Sequence, residues 1–71
     1  MAVMALFPPV AESFARLHRA GWSVGEVADD GAWLVIGSNG ENLIHAEGRT
    51  HAEAWWRACE QALVMGMLSP P

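Results

Sequence analysis

The sequence predicts an α+β fold, a three-stranded antiparallel meander flanked by two helices in the order α-β-β-β-α. Three observations carry this. Three short β-type runs lie between an early and a late helical pattern. The runs are separated by Asp-Gly and Asn-Gly, the dipeptides that favour tight hairpins. Finally, Gly48-Arg49-Thr50-His51-Ala52-Glu53 ends a strand and opens a helix with the T-x-x-E spacing of a capping box. The chain, 1–71, reads as one domain.

The first helix is expected over about 9–20. Val10, Phe14 and Leu17 recur at i, i+4 and i+7, with Glu12, Arg16 and Arg19 facing away. Proline is tolerated in a first turn, and Glu12 suits the positive end of the helix dipole. Gly21 supplies a left-handed stop, with Trp22 folding back on the last turn. Strands are expected over about 22–28, 32–37 and 43–47, turning at Asp30-Gly31 and Asn39-Gly40. The last helix is expected over about 50–65. Ala52, Trp55, Trp56, Cys59, Ala62 and Leu63 form its apolar stripe, and Glu53, Arg57, Glu60 and Gln61 its wet side.

Register assigns the faces. A turn centred on Asn39-Gly40 pairs Val35 with Ile44 and Trp33 with Ala46, and opposed residues share a face. With Trp22, Val24 and Ala28 added from the first strand, this face is the seat for the helices. The other face holds Val27, Leu34, Ile36 and Leu43, with His45 and Glu47 at one edge. It is apolar too, although an antiparallel sheet commonly leaves one face polar. Full burial of each large aliphatic is worth about 1.5–3 kcal/mol. The expectation is therefore that Val27, Leu34, Ile36 and Leu43, with Met65 and Leu68 of the tail, contact another copy or a partner protein. The alternative is one helix on each face and a monomer.

Composition supports a need for extra burial. A domain this short buries only about 60% of its unfolded surface. One cysteine, Cys59, allows no internal disulfide and no cysteine-anchored zinc finger. Apolar residues make up 52% of the chain and charged residues 17%, which leaves a partner chain as the compensating staple. All four basic residues are arginine, against eight carboxylates, for a net charge of −4. Such a chain supplies no dense basic patch, so neither nucleic acid nor an anionic membrane is expected as a partner. No apolar run approaches a membrane span, and the expected location is cytoplasmic.

The element order is similar to that of the double-stranded-RNA-binding domain. The run from Trp22 to Leu63, a meander followed by Gly48-Arg49-Thr50 and Glu53-Ala54, resembles HicB-type antitoxin domains. Trp33, Ala46, Thr50 and the alanine-rich last helix also resemble the phage ABA sandwich domain, a family of unknown function. The RNA-binding family places lysines at the start of its second helix, where this chain has Arg49, Thr50, His51, Ala52 and then acidic Glu53. A HicB-type antitoxin usually adds a DNA-binding tail, and none is expected from residues 1–71. Neutralisation of a toxin without repression is what that resemblance implies.

His45, Glu47 and His51 are the candidate metal ligands. His45 and Glu47 share a strand face at i, i+2, and His51 follows in the first helical turn. Their spacing matches no established motif, and solvated side chains are the plainer reading. Cys59 would be a nucleophile only if a histidine lowered its pKa, and its place on the apolar stripe favours an inert buried thiol. Trp22, Trp33 and Trp55 or Trp56 are read as core, with one of the adjacent pair left as a contact anchor. No catalytic residue and no cofactor are expected. The expectation is a small non-catalytic accessory domain acting as a homodimer, of phage or mobile-element type. The alternatives are an antitoxin-like inhibitor of a partner protein and, more remotely, a metal or small-ligand protein.

Overall fold

A computed structural model describes residues 7–68. The element order is α1 (Val10–Arg19), β1 (Ser23–Asp29), β2 (Ala32–Ser38), β3 (Leu43–Gly48) and α2 (His51–Val64). The strands form one antiparallel sheet in the order β1-β2-β3. The α-β-β-β-α order and the meander predicted from sequence are both present.

Both helices end in the same device. At α1, Gly21 (φ +92°) and Trp22 donate their backbone N–H groups to His18 O and Leu17 O at 3.1 and 3.0 Å. At α2, Gly66 (φ +75°) and Met67 donate theirs to Leu63 O and Ala62 O, both at 2.9 Å. Each is a Schellman motif, in which a left-handed glycine lets two orphan carbonyls find donors. The indole Nε1 of Trp22 also donates to Met67 O at 3.1 Å, tying one helix end to the other.

The start of α2 follows the capping-box expectation with one displacement. Thr50 Oγ1 accepts from Glu53 N at 3.1 Å. The Glu53 carboxylate reaches back to Arg49 N at 2.8 Å, one residue before the cap itself. Its other oxygen accepts from Arg57 Nη2 at 3.1 Å.

The β1–β2 hairpin turns at Asp30-Gly31 as expected, with Asp29 paired to Ala32 and Ala28 to Trp33. Asp30 and Gly31 hold φ of +48° and +83°, the two positive values a type I′ turn requires. The β2–β3 register differs from expectation. Val35 pairs with Ala46, and Ile44 lies opposite Gly37. Asn39 precedes the turn instead of occupying its centre. Its Oδ1 accepts from Glu41 N at 3.0 Å and Asn42 N at 2.7 Å, and its N–H donates to Asn42 O at 3.2 Å. The turn is therefore centred on Gly40-Glu41. A turn moved by one residue moves the register by two, and a strand has period two, so every side chain keeps its face.

Both helices pack on the same face of the sheet, which excludes the arrangement with one helix on each. The core comprises Leu17 of α1, Trp22, Val35, Ile44 and Ala46 of the sheet face, and Ala54, Trp55, Ala58, Cys59 and Ala62 of α2. Leu68 joins them. The buried stripe of α2 is rotated from the expected one. Ala54 and Ala58 are buried, whereas Ala52 and Trp56 are half-buried and Leu63 is exposed. Small alanines let the helix backbone approach the sheet. The approach is closest at the end of β3, where a Cβ on Gly48 would stand 2.5 Å from Ala54 N.

Candidate functional site

Because both helices lie on one side, the other face of the sheet is bare among the described residues. Alternation along each strand places Val27, Leu34, Ile36 and Leu43 on it. Leu43 is 74% exposed, Val27 48% and Ile36 45%, while Leu34 is half-buried at the centre. Val27 lies opposite Leu34, and Ile36 opposite His45, so the aliphatics form one band with polar groups at its ends. Contiguous exposed aliphatics of this kind mark contact surfaces more often than scattered ones do.

The two tail residues expected in the same contact separate. Met65 is exposed and lines a shallow groove with Glu47 and Gln61 along the outer side of β3. Leu68 is only 8% exposed, because the glycine stop at Gly66 folds the tail back into the core. It is part of the chain's own core.

The candidate metal ligands do not converge. His45 and Glu47 project from the exposed side of β3, opposite to the buried Ile44, Ala46 and Gly48. His51 sits on the helix side, with its ring stacked on Trp33 at a centroid distance of 4.3 Å. Among the described residues no three His, Cys, Asp or Glu side chains gather as metal ligands.

His51 has a different partner, one that reading the sequence alone missed. Its Nε2 lies 2.6 Å from Glu26 Oε2. A carboxylate only accepts, so Nε2 carries the proton. Glu26 Oε1 accepts from Trp55 Nε1 at 3.1 Å. The hydrogen bond from His51 holds the Glu26 carboxyl below the usual carboxylate value, helped by the Trp55 bond and opposed by partial desolvation. Glu26 thus stands on the helix side of β1, between Val24 and Ala28. Strand alternation alone gives its face, but its partners lie 25 and 29 residues away, beyond the reach of any local pattern.

Cys59 is buried, and its Sγ lies 3.5 Å from Ser13 O. Burial pushes its thiol up from the ordinary value, against smaller opposite pulls from the Ser13 bond and Arg16. A thiol raised in this way is a packing group, the reverse of an activated nucleophile.

Among the described residues, no helix is long and apolar enough to cross a membrane. Comparison with family models, curated proteins and solved structures finds no match to this chain.

Proposed function

We propose that this chain is a small non-catalytic interaction domain, and that its first partner is a second copy bound through the bare face of the sheet. The observation that carries the reading is the band of Val27, Leu34, Ile36 and Leu43 on a face that neither helix covers. A short domain has little stability to spare, and burying such side chains is worth about 1.5–3 kcal/mol each. A two-fold axis through the face would set each band against its twin, as an isologous dimer requires. The resemblance of the run from Trp22 to Leu63 to HicB-type antitoxin domains favours a heterotypic form of the same reading, in which this face meets an unrelated protein. A phage or mobile-element accessory role belongs with it.

Sedimentation velocity over about a hundredfold range of concentration tests the proposal. A dimer is expected, with Leu43→Arg and Ile36→Glu each giving monomers whose circular dichroism matches the parent's. A parent chain that stays monomeric throughout overturns self-association, and a dimer that both variants leave intact overturns the bare face as its interface.

A further inference from the structure

We propose that the outer edge of β1, with the groove between β1 and α1, receives an extended peptide segment of a partner protein, apolar at alternate positions and carrying a basic side chain opposite Glu26.

The two outer edges of the sheet are treated differently. In an antiparallel pair, successive residues alternate between bonding their partner strand and pointing away from it. On β3 the outward groups of His45 are already taken. Its N–H donates to Gln61 Oε1 at 3.0 Å and its carbonyl accepts from Gln61 Nε2 at 2.8 Å. A side-chain amide there stands in for a further strand and blunts the edge. On β1 the tight turn bonds Asp29 to Ala32, so Val24, Glu26 and Ala28 point their backbone groups outward. No hydrogen bond of the described residues from another element uses them. All of β1 except Val24 is exposed.

Beside this open edge runs a groove walled by Val10 and Phe14 of α1 and by Val24 of β1, with Glu26 and Trp55 also lining it. The Phe14 and Trp55 rings meet edge to face at 5.7 Å. A strand added to β1 would project alternate side chains into this groove, the arrangement by which sheet edges next to a helix read peptides. Apolar side chains would lie against Phe14 and Val10.

Charge selects the occupant. Glu26 and Asp29 are the charged residues of β1, and both are acidic. Glu26 is the central residue of Ser23–Asp29. A second copy pairing β1 against β1 at full overlap would therefore set Glu26 opposite its twin, and like charges directly opposed are destabilising. A basic side chain of a different protein is favoured at that position. It would meet the lone pairs of the carboxylate that His51 and Trp55 leave open.

The test is a titration of the full chain, labelled with nitrogen-15, with the capped peptide Val-Thr-Arg-Thr-Val, followed by amide chemical shifts. Saturable shifts at Val24, Glu26 and Ala28 are expected, with affinity about tenfold weaker when Glu replaces the central Arg. N-methylation of the internal peptide nitrogens should also abolish binding, because the added strand loses its donors. Phe14→Ala should weaken the complex about tenfold, and Leu43→Arg, on the opposite face, should leave it unchanged. The proposal is overturned by shifts confined to β3 or the bare face, by none up to about 5 mM peptide, or by equal binding of the methylated peptide. Concentration-dependent shifts at Val24, Glu26 and Ala28 without peptide would assign the edge to a second copy and overturn it too. Because Leu43→Arg disables the bare face alone, failure here is distinct from failure of the dimer.

Discussion

The indole N–H of Trp22, just beyond α1, donates to the carbonyl of Met67, just beyond α2, at 3.1 Å. Two glycine-stopped helix ends are thereby joined across 45 residues, with the Trp22 ring itself buried. Trp22→Phe keeps an aromatic ring but removes the donor and part of the volume. The expected loss is about 1–3 kcal/mol, read as a lower urea midpoint. The amide of Met67, which donates to Ala62 O at 2.9 Å, should at the same time lose protection from hydrogen exchange, since the tail is tethered there by Trp22.

Gly48 is fixed by proximity to α2, not by an unusual backbone angle. A Cβ there would meet Ala54 N at 2.5 Å and Ala54 Cα at 3.0 Å, both backbone atoms of α2 that have little room to move. Gly48→Ala is expected to destabilise the fold by about 1–3 kcal/mol in urea unfolding. Gly25→Ala is the matched control, because nothing lies within 4 Å of its Cβ position. It should stay within about 0.5 kcal/mol of the parent.

The Glu26 carboxyl is held below its ordinary value of 4.5, chiefly by the bond from His51. The folded chain then binds fewer protons at this site than the unfolded chain does. The stabilisation is fully present above the unfolded value and is lost as pH falls through the folded one. Thermal unfolding from pH 6 down to pH 3 should show this loss, and Glu26→Gln should flatten that acid slope. An unchanged slope in the variant would remove Glu26 from the account. Glu53 is lowered as well, through Arg49 N–H and Arg57, so some acid sensitivity should remain.

Gln61 closes the β3 edge through one residue. Gln61→Ala should expose the His45 N–H, seen as faster amide exchange at that position, and cost about 1 kcal/mol or less because the bonds are solvent-exposed. A free strand edge is also a template for pairing. The variant is expected to form larger species at high concentration than the parent does, measured by light scattering.

Much of this architecture was legible in the sequence, and the differences have local causes. Asp30-Gly31 was placed correctly because a two-residue hairpin needs two positive φ values and few dipeptides supply them. Asn39-Gly40 misled by one residue because the Asn39 side chain bonds the turn from outside it. The bare face was legible nonetheless, since a two-residue register shift preserves sides. Of the stripe expected on α2, Trp55, Cys59 and Ala62 are in the core, whereas Ala54 and Ala58 take the places of Ala52, Trp56 and Leu63 because the small residues permit the closest approach to the sheet. The burial of Leu68 is not legible in the sequence, because nothing local signals that a glycine stop will turn the tail inward. Glu26 and Gln61 were missed because their partners are distant in sequence and periodicity weighs polar residues only as solvated.

Four of the eleven apolar core residues are alanine: Ala46, Ala54, Ala58 and Ala62. Alanine has no rotamers to freeze, whereas a buried leucine or isoleucine gives up about 0.5–1 kcal/mol of side-chain freedom. At these four positions α2 and the sheet come together without freezing a side-chain torsion, and the attraction there comes from close backbone approach. Enlarging these positions to gain apolar area would lose on both counts, by separating the layers and by adding torsions to immobilise.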